Sequence, residues 1–290
     1  MKLNLNALVL LLVSVFILAS CGSGGTGKEK QLGTEPSLDQ SIMSLTGKVP
    51  PVTEIPYFIM SLGADYNQSL VNTRENIDAY MSHPDKSALN LGVFAADMGY
   101  LSAYEKTQEC IDYFNACRHI ADQMGIMSTF PPALVKSVED NIGNRDTLAV
   151  ILNTTIAHAD SLLKATSQSK LAALVLTGSF VESLHIATGI VRTYPKNSFN
   201  DPKQKNQILA PLIKKIIDQG NSVSQVSSIL KKLEATESVS ALIADLDELD
   251  AKFKAIDKNY SDPKFTFSDE TLVGVTESVE KLRADIVNVK

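Results

Sequence analysis

Between Leu171 and Val191 the only ionisable side chains are Glu182 and His185, set in an otherwise apolar run. On a helix Gly178, Glu182, His185 and Gly189 step by four, three and four, so they share one stripe with a small residue at each end. An unpaired ionised carboxylate in apolar surroundings is very costly, so the residue types themselves ask for a partner. The residues leave several readings open. Glu182 can belong to a satisfied buried polar network, bonded to His185, to a Tyr hydroxyl or to a polar group on a neighbouring helix, with Asp97 as a further member. It can instead read a small ligand in a pocket that the two glycines leave open. Or it lies on an exposed helix edge and does nothing special.

Glu182-Ser183-Leu184-His185 also resembles one half of the di-metal motif of ferritin-like bundles. The resemblance implies a metal held by Glu182 and His185. The family pattern needs a second Glu-x-x-His and two more carboxylates, and this chain has four histidines and no second match. His158 and Asp160 on the preceding helix would have to substitute, with Asp97 as another carboxylate. Apart from that metal, the sequence asks for no cofactor. The remaining histidines point elsewhere: His119 shares a polar helix face with Asp112, Asn115 and Asp122, and His83 precedes Pro84 in a break. G-x-S-x-G and H-E-x-x-H are both absent, which removes the common hydrolase signatures and leans the reading away from an enzyme.

The N-terminus reads as an address. Lys2 is followed by an apolar run from Ala7 to Leu18, too short to span a bilayer but suited to a signal-peptide core, so residues 1–20 are expected to be a signal peptide. Leu18-Ala19-Ser20-Cys21 then resembles the lipobox of bacterial lipoproteins. The resemblance implies cleavage before Cys21 and acylation of Cys21, so that palmitate-like chains hold the protein on a membrane. Gly22 follows where an aspartate would favour inner-membrane retention, which leans the expected location to the outer membrane of the cell envelope. Residues 21–50 read as the lipidated cysteine and a flexible tether. Gly22 to Gly27 fits G-x-G-x-x-G, but no strand precedes it and a polar, proline-containing stretch follows, so it is not a phosphate cradle. The stretch from Gly22 to Ser37 would hold the body about 22 Å from the lipid on average.

From Pro50 onward helical periodicity dominates. Helices are expected at Ile55–Leu62, Arg74–Met81, Leu89–Glu105, Lys106–Met124, Pro132–Asn141, Leu148–Leu163 with Asp146 as cap, Lys170–Arg192, and from Pro202 to Gln219 with a stop at Gly220. Val239, Leu242, Leu246, Leu249, Phe253 and Ile256 form one heptad stripe, and Leu272, Val275, Val279, Leu282 and Ile286 another. Joined by a loop around Asp257–Phe267, they predict an antiparallel hairpin. The expected fold is all-α: a multi-helix bundle over 51–290, with a sub-boundary near 195–203, around the apolar helix that carries Glu182. Cys110 and Cys117 lie seven apart on one helix, about 10.5 Å, beyond the reach of a disulfide.

Leu91-Gly92-Val93-Phe94-Ala95-Ala96-Asp97, together with Gly178 to Leu184, resembles a group of uncharacterised helical lipoproteins from Bacteroidota. That resemblance implies a fold and an address and no mechanism. With a formal net charge of −6 and no basic run, nucleic acid is not an expected partner. The expected function is a membrane-anchored helical module that binds a ligand or scaffolds a protein partner. A ferritin-like metal-binding protein is the alternative.

Overall fold

A computed structural model describes residues 37–38, 40–42, 53–165, 168–194, 202–256 and 267–288; the side chains of 156–165, 202–203 and 269 fall outside that description. The signal segment 1–20, Cys21, the tether to 36, the sub-boundary at 195–201 and most of the loop Asp257–Phe267 therefore lie outside the described residues, as do the side chains of His158 and Asp160. Residues Pro36–Lys290 make one compact unit.

Among the described residues every regular element is helical. In chain order these are α1 (Glu54–Ser61), α2 (Ile77–Tyr80), α3 (Pro84–Ala103), α4 (Thr107–Gln123), α5 (Pro132–Asn141), α6 (Arg145–Ala165), α7 (Ser169–Thr193), α8 (Pro202–Ile217), α9 (Gly220–Leu230), α10 (Glu237–Ala255) and α11 (Val273–Val287).

The boundaries correct the sequence reading in several places. Pro84 begins α3 rather than breaking the chain, because a proline at the first helical position removes an N–H that has no partner there anyway. The expected pair over 89–124 is kept as two helices, α3 and α4, separated where Glu105 takes a positive φ of 55°. Asn144, not Asp146, caps α6: its Oδ1 accepts the Thr147 N–H at 3.1 Å. The helix expected to run to Gln219 ends two residues earlier, at Ile217, and Gly220 itself opens α9, where its missing side chain leaves room for the Phe253 ring.

α7 is long and apolar enough to cross a membrane, yet 89% of its apolar window is buried inside the protein. It packs most extensively on α3, with α11, α6, α1 and α8 around it. The α3–α7 contact is a backbone contact. A Cβ on Gly92 would lie 2.0 Å from the Val175 carbonyl oxygen, and one on Gly178 would lie 1.9 Å from that of Leu89. Only glycine permits this approach. Leu174, Phe180, Val181, Leu184 and Ile190 of α7 are then buried in the main core, each contributing about 1.5–3 kcal/mol. The other face of α3 buries Phe94, Met98 and Leu101 against Cys110, Tyr113 and Ile120 of α4. Cys110 and Cys117 are free thiols.

α10 and α11 run antiparallel. Lys252 approaches Gly274, whereas Lys281 bonds Asp245 and Glu248 at 2.9 Å each, so one chain climbs as the other descends. Val239, Leu242, Leu246, Leu249 and Phe253 face Leu272, Val275, Val279, Leu282 and Ile286 in the same core. This packing lays α11 along α7 and fixes what Glu182 meets.

Candidate functional site

Glu182 sits at the middle of α7, where the close α3–α7 approach and the docking of α11 leave it no exposure. Arg283, one residue beyond Leu282 in the α11 stripe, reaches it across that interface. Its Nε donates to Oε2 at 2.7 Å and its Nη2 to Oε1 at 2.9 Å, a bidentate pair with the Arg283 side chain only 15% exposed. Planar fork-to-fork bonding of this kind is specific to arginine; a lysine could not reproduce it.

Asp97 comes to the same place from α3, five residues after Gly92, and is also fully buried. Its Oδ2 accepts the backbone N–H of Asn72 at 3.1 Å, while no donor among the described residues reaches its Oδ1. Burial, and then the negative charge of Glu182, push the Asp97 carboxyl well above the usual carboxylate range, against the pull of Arg283. Two carboxylates facing one guanidinium would leave a net negative charge in the core. One proton on Asp97 removes it and turns the unpartnered Oδ1 into a donor that can bond Glu182.

A ring of neutral bonds surrounds the charges. The Asn72 amide donates to the Tyr80 hydroxyl at 3.3 Å and to Asn90 Oδ1 at 3.4 Å. Tyr113 donates to the Asn72 carbonyl. Tyr80 donates to the Val287 carbonyl at 2.7 Å and Asn90 to that of Ile286 at 3.0 Å. The last two satisfy carbonyls at the C-terminal end of α11, which have no partner within their own helix. The network therefore ties the segment 71–73, α3, α4, α7 and α11 together.

His185 is buried on the same stripe, but it bonds neither Glu182 nor anything else among the described residues: both ring nitrogens are without a partner. Burial lowers its pKa to about 4, with Arg283 and Arg192 adding to the effect and Glu182 opposing it. The folded state thus holds a neutral imidazole while the unfolded chain, with a pKa near 6.5, takes up a proton. A folded-state pKa below the unfolded one means that stability is full above about pH 6.5 and falls as the pH drops toward 4. We expect wild type to lose about 2 kcal/mol more than His185→Gln between pH 7.5 and pH 5, measured by urea unfolding at both. Equal losses would show that His185 is solvated.

Asp97, Glu182 and His185 thus come from two segments far apart in sequence and converge at one place. Arg283 is the residue that sequence reading missed. It is the only arginine after Arg192, placed beside the α11 heptad stripe among lysines, and that was its only signal. The glycine space is occupied: Gly178 is filled by the Leu89 backbone and Gly189 by the Leu70 side chain. No group of three His, Cys, Asp or Glu among the described residues is placed to hold a metal. His119 Nε2 stands 3.7 Å from Asp78 on the surface, and His83 is exposed. No family model matches the chain, and no curated protein or solved structure was found to be similar to it.

Proposed function

We propose that this protein is a lipid-anchored helical module of the cell envelope, held by acyl chains on Cys21 and serving to bind a ligand or scaffold a partner. The observation that carries this reading over a ferritin-like one is the bidentate Arg283–Glu182 pair. Both carboxylate oxygens are committed to a guanidinium, so the Glu-x-x-His segment acts as a structural cross-link between α7 and α11. A metal at Glu182 would have to displace that cation from a buried site, leaving an unpaired guanidinium. The anchor rests on Leu18-Ala19-Ser20-Cys21 behind its apolar run, and the lean to the outer membrane on Gly22. The two segments that resemble helical lipoproteins of Bacteroidota, Leu91–Asp97 and Gly178–Leu184, are the ones that pack backbone to backbone and carry Asp97 and Glu182. That placement is in keeping with a shared fold rather than a shared active site.

In cells fed a labelled fatty acid the wild-type protein should carry label that survives denaturation and solvent extraction, and Cys21→Ala should abolish it. Label that persists in the mutant removes the lipoprotein reading.

A further inference from the structure

On the far side of α3 from Glu182 lies an apolar cavity of about 120 Å³. α3 supplies Leu91 and Met98, α4 supplies Phe114 and Cys117, and α5 flanks it with Val135 and Val138. Its Thr155 hydroxyl is committed to the Ile151 carbonyl of its own helix at 2.8 Å, so it offers a ligand no free donor. The Cys117 thiol is pushed up to about 12, first by burial, and is a neutral apolar wall at any ordinary pH. An apolar space of about 150 Å³ stays dry and accepts benzene, so this one has room for roughly six carbons. Left empty, it denies its lining atoms their dispersion partners.

Among the described residues a single charged side chain, Arg118, lines the cavity. Its guanidinium lies 5.8 Å from the Phe114 ring centroid and is held at 2.7 Å by Glu139. Both partners of that ion pair are more than 40% exposed. An exposed pair of this kind contributes little and is readily exchanged. The cavity therefore offers an incoming molecule a greasy slot and one exchangeable cation at its edge.

We propose that this cavity binds a free medium-chain fatty acid, its alkyl tail among Leu91, Met98, Phe114 and Val135 and its carboxylate on Arg118 in place of Glu139. The proposal rests on the ligand-binding half of the reading above and gives that ligand a chemical class. A neutral apolar compound would use the slot but not the cation, and a short carboxylate the cation but not the slot.

The test is calorimetric titration of the compact unit Pro36–Lys290 with octanoate, octanol and butyrate. Octanoate should saturate one site and bind at least about tenfold tighter than either of the others. Arg118→Gln, a surface change, should bring octanoate down to the octanol level and leave octanol unaffected. Val135→Trp, which fills the slot from α5, should lose both, with its circular dichroism unchanged. No saturable octanoate binding to wild type overturns the proposal. So does octanoate binding that survives Val135→Trp, and so does octanol binding as tightly as octanoate. Failure here leaves the acylation of Cys21 standing, because fatty-acid labelling reads the anchor separately.

Discussion

Gly178→Ala is expected to cost more than about 3 kcal/mol of unfolding free energy, read as a large drop in the denaturant midpoint. The added methyl would lie 1.9 Å from the Leu89 carbonyl oxygen and 2.8 Å from its carbon. Overpacking against side chains typically costs 1–3 kcal/mol because rotamers can give way. Here the obstacle is the backbone of a facing helix, so the whole α3–α7 pair must separate. That separation would loosen the main core on one side and pull Asp97 away from Glu182 on the other. Gly92→Ala should behave alike, since its methyl would meet the Val175 carbonyl oxygen at 2.0 Å. Gly189→Ala supplies the internal comparison. Its methyl meets only a Leu70 Cδ2 at 2.5 Å, the end of a flexible side chain, so the loss should be clearly smaller. Against a total stability of about 5–15 kcal/mol, the first two changes should leave the protein marginal. Equal midpoints for Gly178→Ala and Gly189→Ala would mean that the helices do not touch through their backbones.

That contrast also shows where the sequence is transparent and where it is not. Apolar residues around the whole of Leu171–Val191 announce a central helix, and the heptad stripes at Val239–Ile256 and Leu272–Ile286 announce a hairpin. Both follow from periodicity, a local property. What a small residue makes room for is not local. Gly178 is as consistent with a ligand as with another backbone, and only the partner helix decides; Gly220 likewise reads as a stop until Phe253 is laid over it. The partner of Glu182 is hidden for the same reason. His185 is the near neighbour in sequence, yet the bond goes to Arg283, 101 residues away, because the fork geometry of a guanidinium satisfies both carboxylate oxygens at once. That choice leaves His185 with both nitrogens unpartnered among the described residues, which no inspection of the stripe alone would reveal.

Arg283→Met should cost about 3–5 kcal/mol, since it leaves a buried carboxylate without its cation. Glu182→Met should cost a similar amount by leaving the guanidinium unpaired among apolar side chains. The double variant Glu182→Met/Arg283→Met should be far less damaged than the sum, because the two charges vanish together and methionine fills similar volume. A buried ion pair of this kind adds little net stability; its loss hurts only when half of it remains. The third acid separates this account from a simple tally of charges. If Asp97 is held as the neutral acid that donates from Oδ1, then Asp97→Asn keeps the shape and still presents a donor to Glu182. Its cost should stay within about 1 kcal/mol. If Asp97 instead carried a charge that the network needs, Asp97→Asn would be as harmful as Arg283→Met. Denaturant unfolding of these four variants decides between them. Additive losses in the double variant would show that Glu182 and Arg283 do not form a pair in solution, and the structural role assigned to the Glu-x-x-His helix would fall with it.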